Sequence, residues 1–368
     1  MRFARCPLLV ALILSSVIGW SQNTRISIAA GTPEDKELTA IAAEQDPQKR
    51  IALYQDFVSK FASNKAAAAY GDWQLSQQYL ATGDAAKALE LGDKALELYP
   101  NDLDIVVSQI GITQTMKDAG KTVDYAVRGA EIYHSIATQP KPNDVAEADW
   151  KSRIADDQES ARSGYEFVET AAFNAIAGEQ DAGKRMNYIE KFTPAFPNSK
   201  FEDQVSQLAL YSLQQLNQPE RLESYGEKAL AANPESIPTL LMLANAYSED
   251  PKQTAKAVAY ANKVIALTGA SPEGKQKLAA GVAHSSLGYA YLKQEKYTGA
   301  VAELKTAVGM LQEDPQAEQA ALFRLGYAYA KVNRRADSIA TLQKAAAMNG
   351  PYQAPAKDLL GKVSRAGK

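Results

Sequence analysis

The sequence predicts an all-α chain, an α-solenoid in which antiparallel helix pairs stack into a right-handed superhelix. Three observations predict it. "SSLGYAYLKQEKYTGAVAELKTAV" and "LFRLGYAYAKVNRRADSIATLQKAA" repeat one pattern: Leu287, Gly288 and Tyr291 recur as Leu325, Gly326 and Tyr329, and Ala300, Leu304 and Ala307 recur as Ser338, Leu342 and Ala345, 38 residues on. "AIAAEQDPQKRIALYQDFVSKFASNK", from Ala40, aligns without gaps on "AIAGEQDAGKRMNYIEKFTPAFPNSK", from Ala175, at an offset of 135. No convincing strand is visible, since the β-branched run from Ile105 to Val107 lies inside a repeat. One helix pair cannot bury its own apolar stripe, and repeated pairs stack to do so.

The recurring residues carry a resemblance. Leu-Gly followed by Tyr in a first helix, then small, large and small residues in a second, resembles the tetratricopeptide repeat family, with His284 and Leu322 where the family usually has Trp. Weaker copies supply Leu75, Tyr79, Ala88, Ala95 and Pro100, then Ile110 and Gly111, then Leu243, Ala244 and Tyr247. The intervals from 75 to 110, from Leu210 to 243, from 243 to 287 and from 287 to 325 are 35, 33, 44 and 38 residues and scatter around the family's period. Gly288, Gly326 and Gly111 cost helix propensity, which implies a partner helix packed close against them. The aromatic-rich "YQDFVSKF" and "FTPAFPNSK" also resemble repeats of bacterial envelope proteins, including assembly lipoproteins.

Read from the N-terminus, Arg2 and Arg5, an apolar run from Leu8 to about Gly19, and small residues near Ser21 give residues 1–21 the order of a secretory signal peptide. An uncleaved anchor is the alternative. Cys6 precedes the apolar run, where a lipid-attachment cysteine would have to follow it, and as the sole cysteine it leaves the processed chain without disulfides. Residues 22–32 read as a flexible N-terminus and Pro33 as a helix start. Helix pairs fill 33–138. "QPKPND" breaks the pattern, and one long helix from Val145 to Ala177 opens a second set of pairs within 144–350. Residues 351–368, with Leu359, Leu360 and Val363 among Lys357, Asp358 and Lys362, read as a capping helix.

Chemistry is scarce. A formal charge of -3 and a composition 46% hydrophobic and 23% charged describe an ordinary soluble chain and argue against nucleic acid as partner. Only His134 and His284 could act as imidazoles, no nucleophile, nucleotide or metal motif stands out, and "DDQE" at Asp156 reads as the wet side of a helix. No catalytic residue, metal ligand or cofactor is expected.

The remaining hint is the opposite face of each first helix. At about 100° per residue, Ser285, Tyr289 and Leu292 point away from Leu287, with Lys293 at their border. The same geometry selects Phe323, Tyr327 and Lys331, Leu241 and Asn245, and Trp73 and Gln77. In the family these faces line a concave groove that holds a peptide; the rings could equally seal neighbouring repeats. The family's carboxylate clamp, which uses Lys and Asn in successive repeats, is matched here by Asn245 alone. The expectation is an exported scaffold of the periplasm or cell envelope, or a secreted one, without a membrane span after processing, that binds a protein or peptide. The alternative is a structural envelope component assembling through its convex surface.

Overall fold

The computed structural model describes residues 25–365, and the expected signal peptide, 1–21, lies outside them. The described residues form seventeen helices and no strand. By internal contacts the chain divides after Ala172 into two compact units, each an α-solenoid of helix pairs.

The first unit holds α1 (Pro33–Ala43), α2 (Pro47–Lys60), α3 (Lys65–Ala81), α4 (Ala85–Leu98), α5 (Leu103–Thr115), α6 (Ala119–Ala137) and most of α7 (Glu147–Gly178), the 32-residue helix that follows the proline-rich break. Local chemistry starts these helices. Asp46, Asn64, Asp84, Asp102 and Asp118 each accept a backbone N–H of the next helix's first turn. The segment before α1 differs from the expected flexible terminus: from Arg25 on it is tied down. The Ile26 N–H donates to Asp102 Oδ2 at 2.6 Å, Arg25 pairs with Asp104 at 2.9 Å, and Ile28 packs on the cluster around Ile41, Tyr54 and Phe57. Asp102, 1% exposed, thereby serves two segments at once, and burial raises its pKa against the pull of the Ile26 and Ile105 N–H groups.

The second unit continues with α8 (Ala182–Ala195), α9 (Glu202–Gln215), α10 (Pro219–Ala232), α11 (Ile237–Glu249), α12 (Thr254–Thr268), α13 (Gly274–Lys293), α14 (Tyr297–Met310), α15 (Pro315–Lys331), α16 (Arg335–Ala347) and α17 (Gln353–Arg365). Sequential helices pack antiparallel, and the first helices α9, α11, α13 and α15 also touch one another in turn, forming a layer of their own. Leu359, Leu360 and Val363 of α17 cover the cluster of Leu322, Leu342 and Ala345, and Arg335 caps the carbonyls of Val363 and Ser364.

Two devices close the pairs α13–α14 and α15–α16. The first is a glycine facing a leucine: a Cβ on Gly288 would stand 2.6 Å from Leu304 Cγ, and one on Gly326 2.6 Å from Leu342 Cγ. Only hydrogen fits there, so the axes can approach and both leucines are fully buried. The second is a left-handed turn. Gly83, Lys117, Asn217, Glu295 and Asn333 all have positive φ, between 52° and 90°. The residue after each returns its N–H to a carbonyl five residues back, Asp84 to Tyr79, Lys296 to Tyr291 and Arg334 to Tyr329, each at 2.9 Å. This is the Schellman closure, and the recurring tyrosine supplies its acceptor.

The turn also sets register and corrects one expectation. Gly288 and Gly326 stand seven residues before their turn residue; Ile110 does so before Lys117, and Gly111 falls one place later. A Cβ on Gly111 would meet nothing within 4 Å, so no helix packs close against it, and the buried Ile110 fills the closure position instead.

The contrast is measurable. Gly326→Ala should cost about 1–3 kcal/mol by overpacking against Leu342, whereas Gly111→Ala should stabilise its helix by about 1 kcal/mol through propensity alone. Hydrogen exchange of α15–α16 and of α5–α6 reports each locally, and loss of protection in both variants would contradict the register.

Candidate functional site

The layer of first helices in the second unit carries two open cavities on one face. The first, about 480 Å³, is formed by Phe173 of α7, Leu208 and Tyr211 of α9, and Pro238 and Met242 of α11. Phe173 lies flat on Phe201, centroids 4.1 Å apart, and Tyr211 is 49% exposed with the Arg185 guanidinium 5.5 Å from its ring. Gln204 and Gln207 of α9 complete a wall that is otherwise apolar, with the aromatic Tyr211 and the adaptable Met242 among its groups. The second cavity, about 440 Å³, lies among α11, α13, α15 and the turn before α17, and its wall includes Asn245, Glu249, Ser285, Asp314, Arg324 and Tyr352.

Of the residues selected from sequence, the structure brings Asn245 and Ser285 into the second cavity. Ser285 is buried, against its expected open position, and accepts from Arg324 Nη1 at 3.2 Å. Leu292, also expected on the open face, is buried with Leu304 and Leu325, because the next first helix leans over it. Tyr289 borders the cavity and joins three helices: its hydroxyl donates to Glu249 Oε2 at 2.9 Å, and Arg324 lies 4.3 Å over its ring. Lys293 completes this group, 5.0 Å from the Tyr289 centroid and 4.0 Å from Glu249. Burial pushes the Tyr289 hydroxyl above the ordinary tyrosine range.

The others fall elsewhere. Leu241 is half-buried in α11 and lines neither cavity. Phe323 packs on the Leu342 cluster and against Tyr352 at 5.3 Å. Tyr327 is half-buried among Tyr289 and Tyr297, with the exposed Lys331 5.5 Å from its ring. Trp73 and Gln77 belong to the first unit, where Trp73 is edge-on to Tyr70 and Gln77 donates to Ser108 of α5. His284 binds Glu303 Oε2 of α14 through Nδ1 at 2.6 Å, which makes it a link within a pair.

Sequence reasoning passed over Tyr211, Met242 and Arg324. Tyr211 stands six residues before Asn217, as Tyr289 and Tyr327 stand before Glu295 and Asn333. Taking Leu210 as the leucine of a Leu-Gly step shifted that repeat by one residue and hid the match. Arg324 had its own signal, a guanidinium directly before Leu325 where the preceding copy has Ser286.

Among the described residues no group of three or more His, Cys, Asp or Glu side chains could hold a metal ion, and no helix is long and apolar enough to cross a membrane. No protein-family model and no curated protein matches the sequence. Solved structures do. A tetratricopeptide repeat protein from Parabacteroides merdae superposes with a TM-score of 0.38 and 14% identity, covering 81% of this chain and 99% of its own. The apo form of RapI gives 0.43 and 14%, covering 81% and 82%, and yeast Tom70 gives 0.30 and 12%, covering 88% and 97%. The chain is similar to tetratricopeptide repeat proteins. In this tetratricopeptide-like array Tyr289 is part of the junction between pairs, while Tyr211, at the equivalent position, is open.

That difference should show in stability. Tyr289→Ala should loosen α11, α13 and α15 by about 1–2 kcal/mol, and Tyr211→Ala should stay within about 0.5 kcal/mol of the parent, both read by hydrogen exchange. Equal losses would place Tyr211 in the packing as well.

Proposed function

We propose that the chain is a non-catalytic, exported scaffold whose second unit holds a segment of another protein along the layer of α9, α11, α13 and α15. The observation that carries this reading is the cavity at Tyr211. A large ring half in water, beside Met242, Leu208 and Phe173, is apolar surface that no other part of the second unit covers. Rings supply contact area at low entropic cost and thioethers adapt to shape, which suits recognition of an apolar side chain in an extended segment. Along the same layer the second cavity adds polar groups that would fix the direction of that segment. The absence of a catalytic motif in the sequence and the spacing of the repeats favour binding over turnover.

The binding test uses a displayed library of extended peptides captured by the full chain. Tyr211→Ser combined with Met242→Gln should lower capture at least about 10-fold, with helicity unchanged by circular dichroism. Capture indifferent to both substitutions would remove this face from the reading.

Export rests on the arginine-flanked apolar run in residues 1–21. N-terminal sequencing of the native protein should begin near Gln22; the intact Met1 form recovered from the cytoplasm would overturn it.

A further inference from the structure

Arg324 is 9% exposed, yet among the described residues only two groups meet its guanidinium: Ser285 Oγ, which takes one of its five donors, and the face of Tyr289. Among the described residues it makes no ion pair, although two carboxylates share its cavity. Both are engaged elsewhere. Glu249 accepts the Tyr289 hydroxyl and faces Lys293, and Asp314 caps α15 by accepting the N–H groups of Gln316 at 3.2 Å and Ala317 at 3.0 Å. A buried cation with no anion is costly, and an aromatic face offsets only part of that cost. The remaining donors border a cavity of about 440 Å³, large enough for a side chain and its flanking backbone.

We infer that this cavity takes a carboxylate through Arg324, and that the carboxylate is the side chain of an aspartate or glutamate within the bound segment, an inference that rests on the partner-binding reading of this face. A planar guanidinium pairs with a carboxylate in a two-pronged geometry that an ammonium cannot reproduce. The neighbouring acids select the charge of the ligand. Glu249 and Asp314 would repel a dianionic phosphate about twice as strongly as a single carboxylate at the same place. They also select what flanks it, because their unused lone pairs, with the side-chain oxygens of Asn245 and Gln316, accept N–H donors. An acidic residue inside an extended chain brings a peptide N–H on either side of its own anion; a chain terminus brings one on one side only.

Three probes separate the sources of the anion on the full-length protein, with the Arg324 Nε–H followed by NMR: N-acetylglutamate N-methylamide, N-acetylalanine and inorganic phosphate. The glutamate probe should bind saturably and lose at least about 10-fold in affinity in Arg324→Gln, with the other two at least about 10-fold weaker on the parent. Ala320→Glu gives a second handle: residues 320 and 324 are neighbours four apart on α15 and Ala320 lines the same cavity. Its carboxylate should occupy Arg324 from within and abolish probe binding without lowering the melting midpoint, so the test survives if Arg324→Gln does not fold. No saturable binding of the glutamate probe, undiminished binding in Ala320→Glu, or tighter binding of phosphate or of the terminal carboxylate would overturn the inference. Library segments captured equally by the parent and by Ala320→Glu would sink this site and leave the binding face standing. Probe binding with no captured segment would sink the binding face instead, and with it the bound segment that this inference places in the cavity.

Discussion

How closely a first helix can approach its second decides almost everything about the second unit. At Gly288 and Gly326 the space a methyl would need is already held by Leu304 and Leu342. The leucine fills the gap that the missing side chain leaves, so the pair closes without a void. Gly226 meets Leu243 in the same way, a Cβ there standing 2.7 Å from Leu243 Cδ2, but this contact is between α10 and the following α11. Close approach thus operates both within pairs and between them. The layer of first helices, with both cavities, is positioned by these contacts.

The same constraint explains what the sequence revealed and what it concealed. Leu287, Gly288 and Tyr291, and their copies at Leu325, Gly326 and Tyr329, were legible because each type answers one physical demand: burial, close approach, and a ring at the last turn whose backbone carbonyl closes the Schellman motif. At Ile110 and Leu210 an aliphatic side chain fills the closure position, and an apolar stripe alone tolerates two registers one residue apart. The turn residue that fixes the register was invisible there, because Lys117 carries no mark of left-handed backbone and Asn217 only a weak one. A shift of one residue rotates a helix by about 100°, which is enough to move Gly111 from the packed side to the open side and to lose Tyr211.

The longer duplication was legible in letters, and the structure shows why its letters persist. Glu44-Gln45-Asp46 and Glu179-Gln180-Asp181 build the same corner. The Asp46 and Asp181 N–H groups donate to Glu44 and Glu179 Oε1, each at 2.9 Å, and the aspartates cap the next helix. Arg50 and Arg185 then reach back to the carbonyls of Glu44 and Glu179, at 2.6 and 2.8 Å. Farther along, Phe57 packs on Phe61 at 4.9 Å and Phe192 on Phe196 at 4.7 Å. Each polar residue satisfies a backbone group that the turn between helices would otherwise leave unpaired. The corner is therefore preserved as a hydrogen-bonded unit, and the intervening exposed positions have drifted.

The candidate site was harder to read because it depends on which side chains find partners, and periodicity does not report that. Tyr289 and Tyr211 occupy equivalent positions, yet one is held by Glu249 and Arg324 and the other stands half in water. The deciding residue lies on a different helix: Arg324 comes from α15, one pair beyond Tyr289. Glu227 makes the point again at another junction. Burial opposes its charge, but the hydroxyls of Tyr247 and Tyr260, at 2.6 and 2.7 Å, and Lys256 hold its pKa below the usual carboxylate range. Around Glu227 the acceptor and its donors are all present, and the group is complete within the chain. Around Arg324 the donors are buried while the nearby acceptors are committed elsewhere, so among the described residues this group, unlike that of Glu227, is left incomplete.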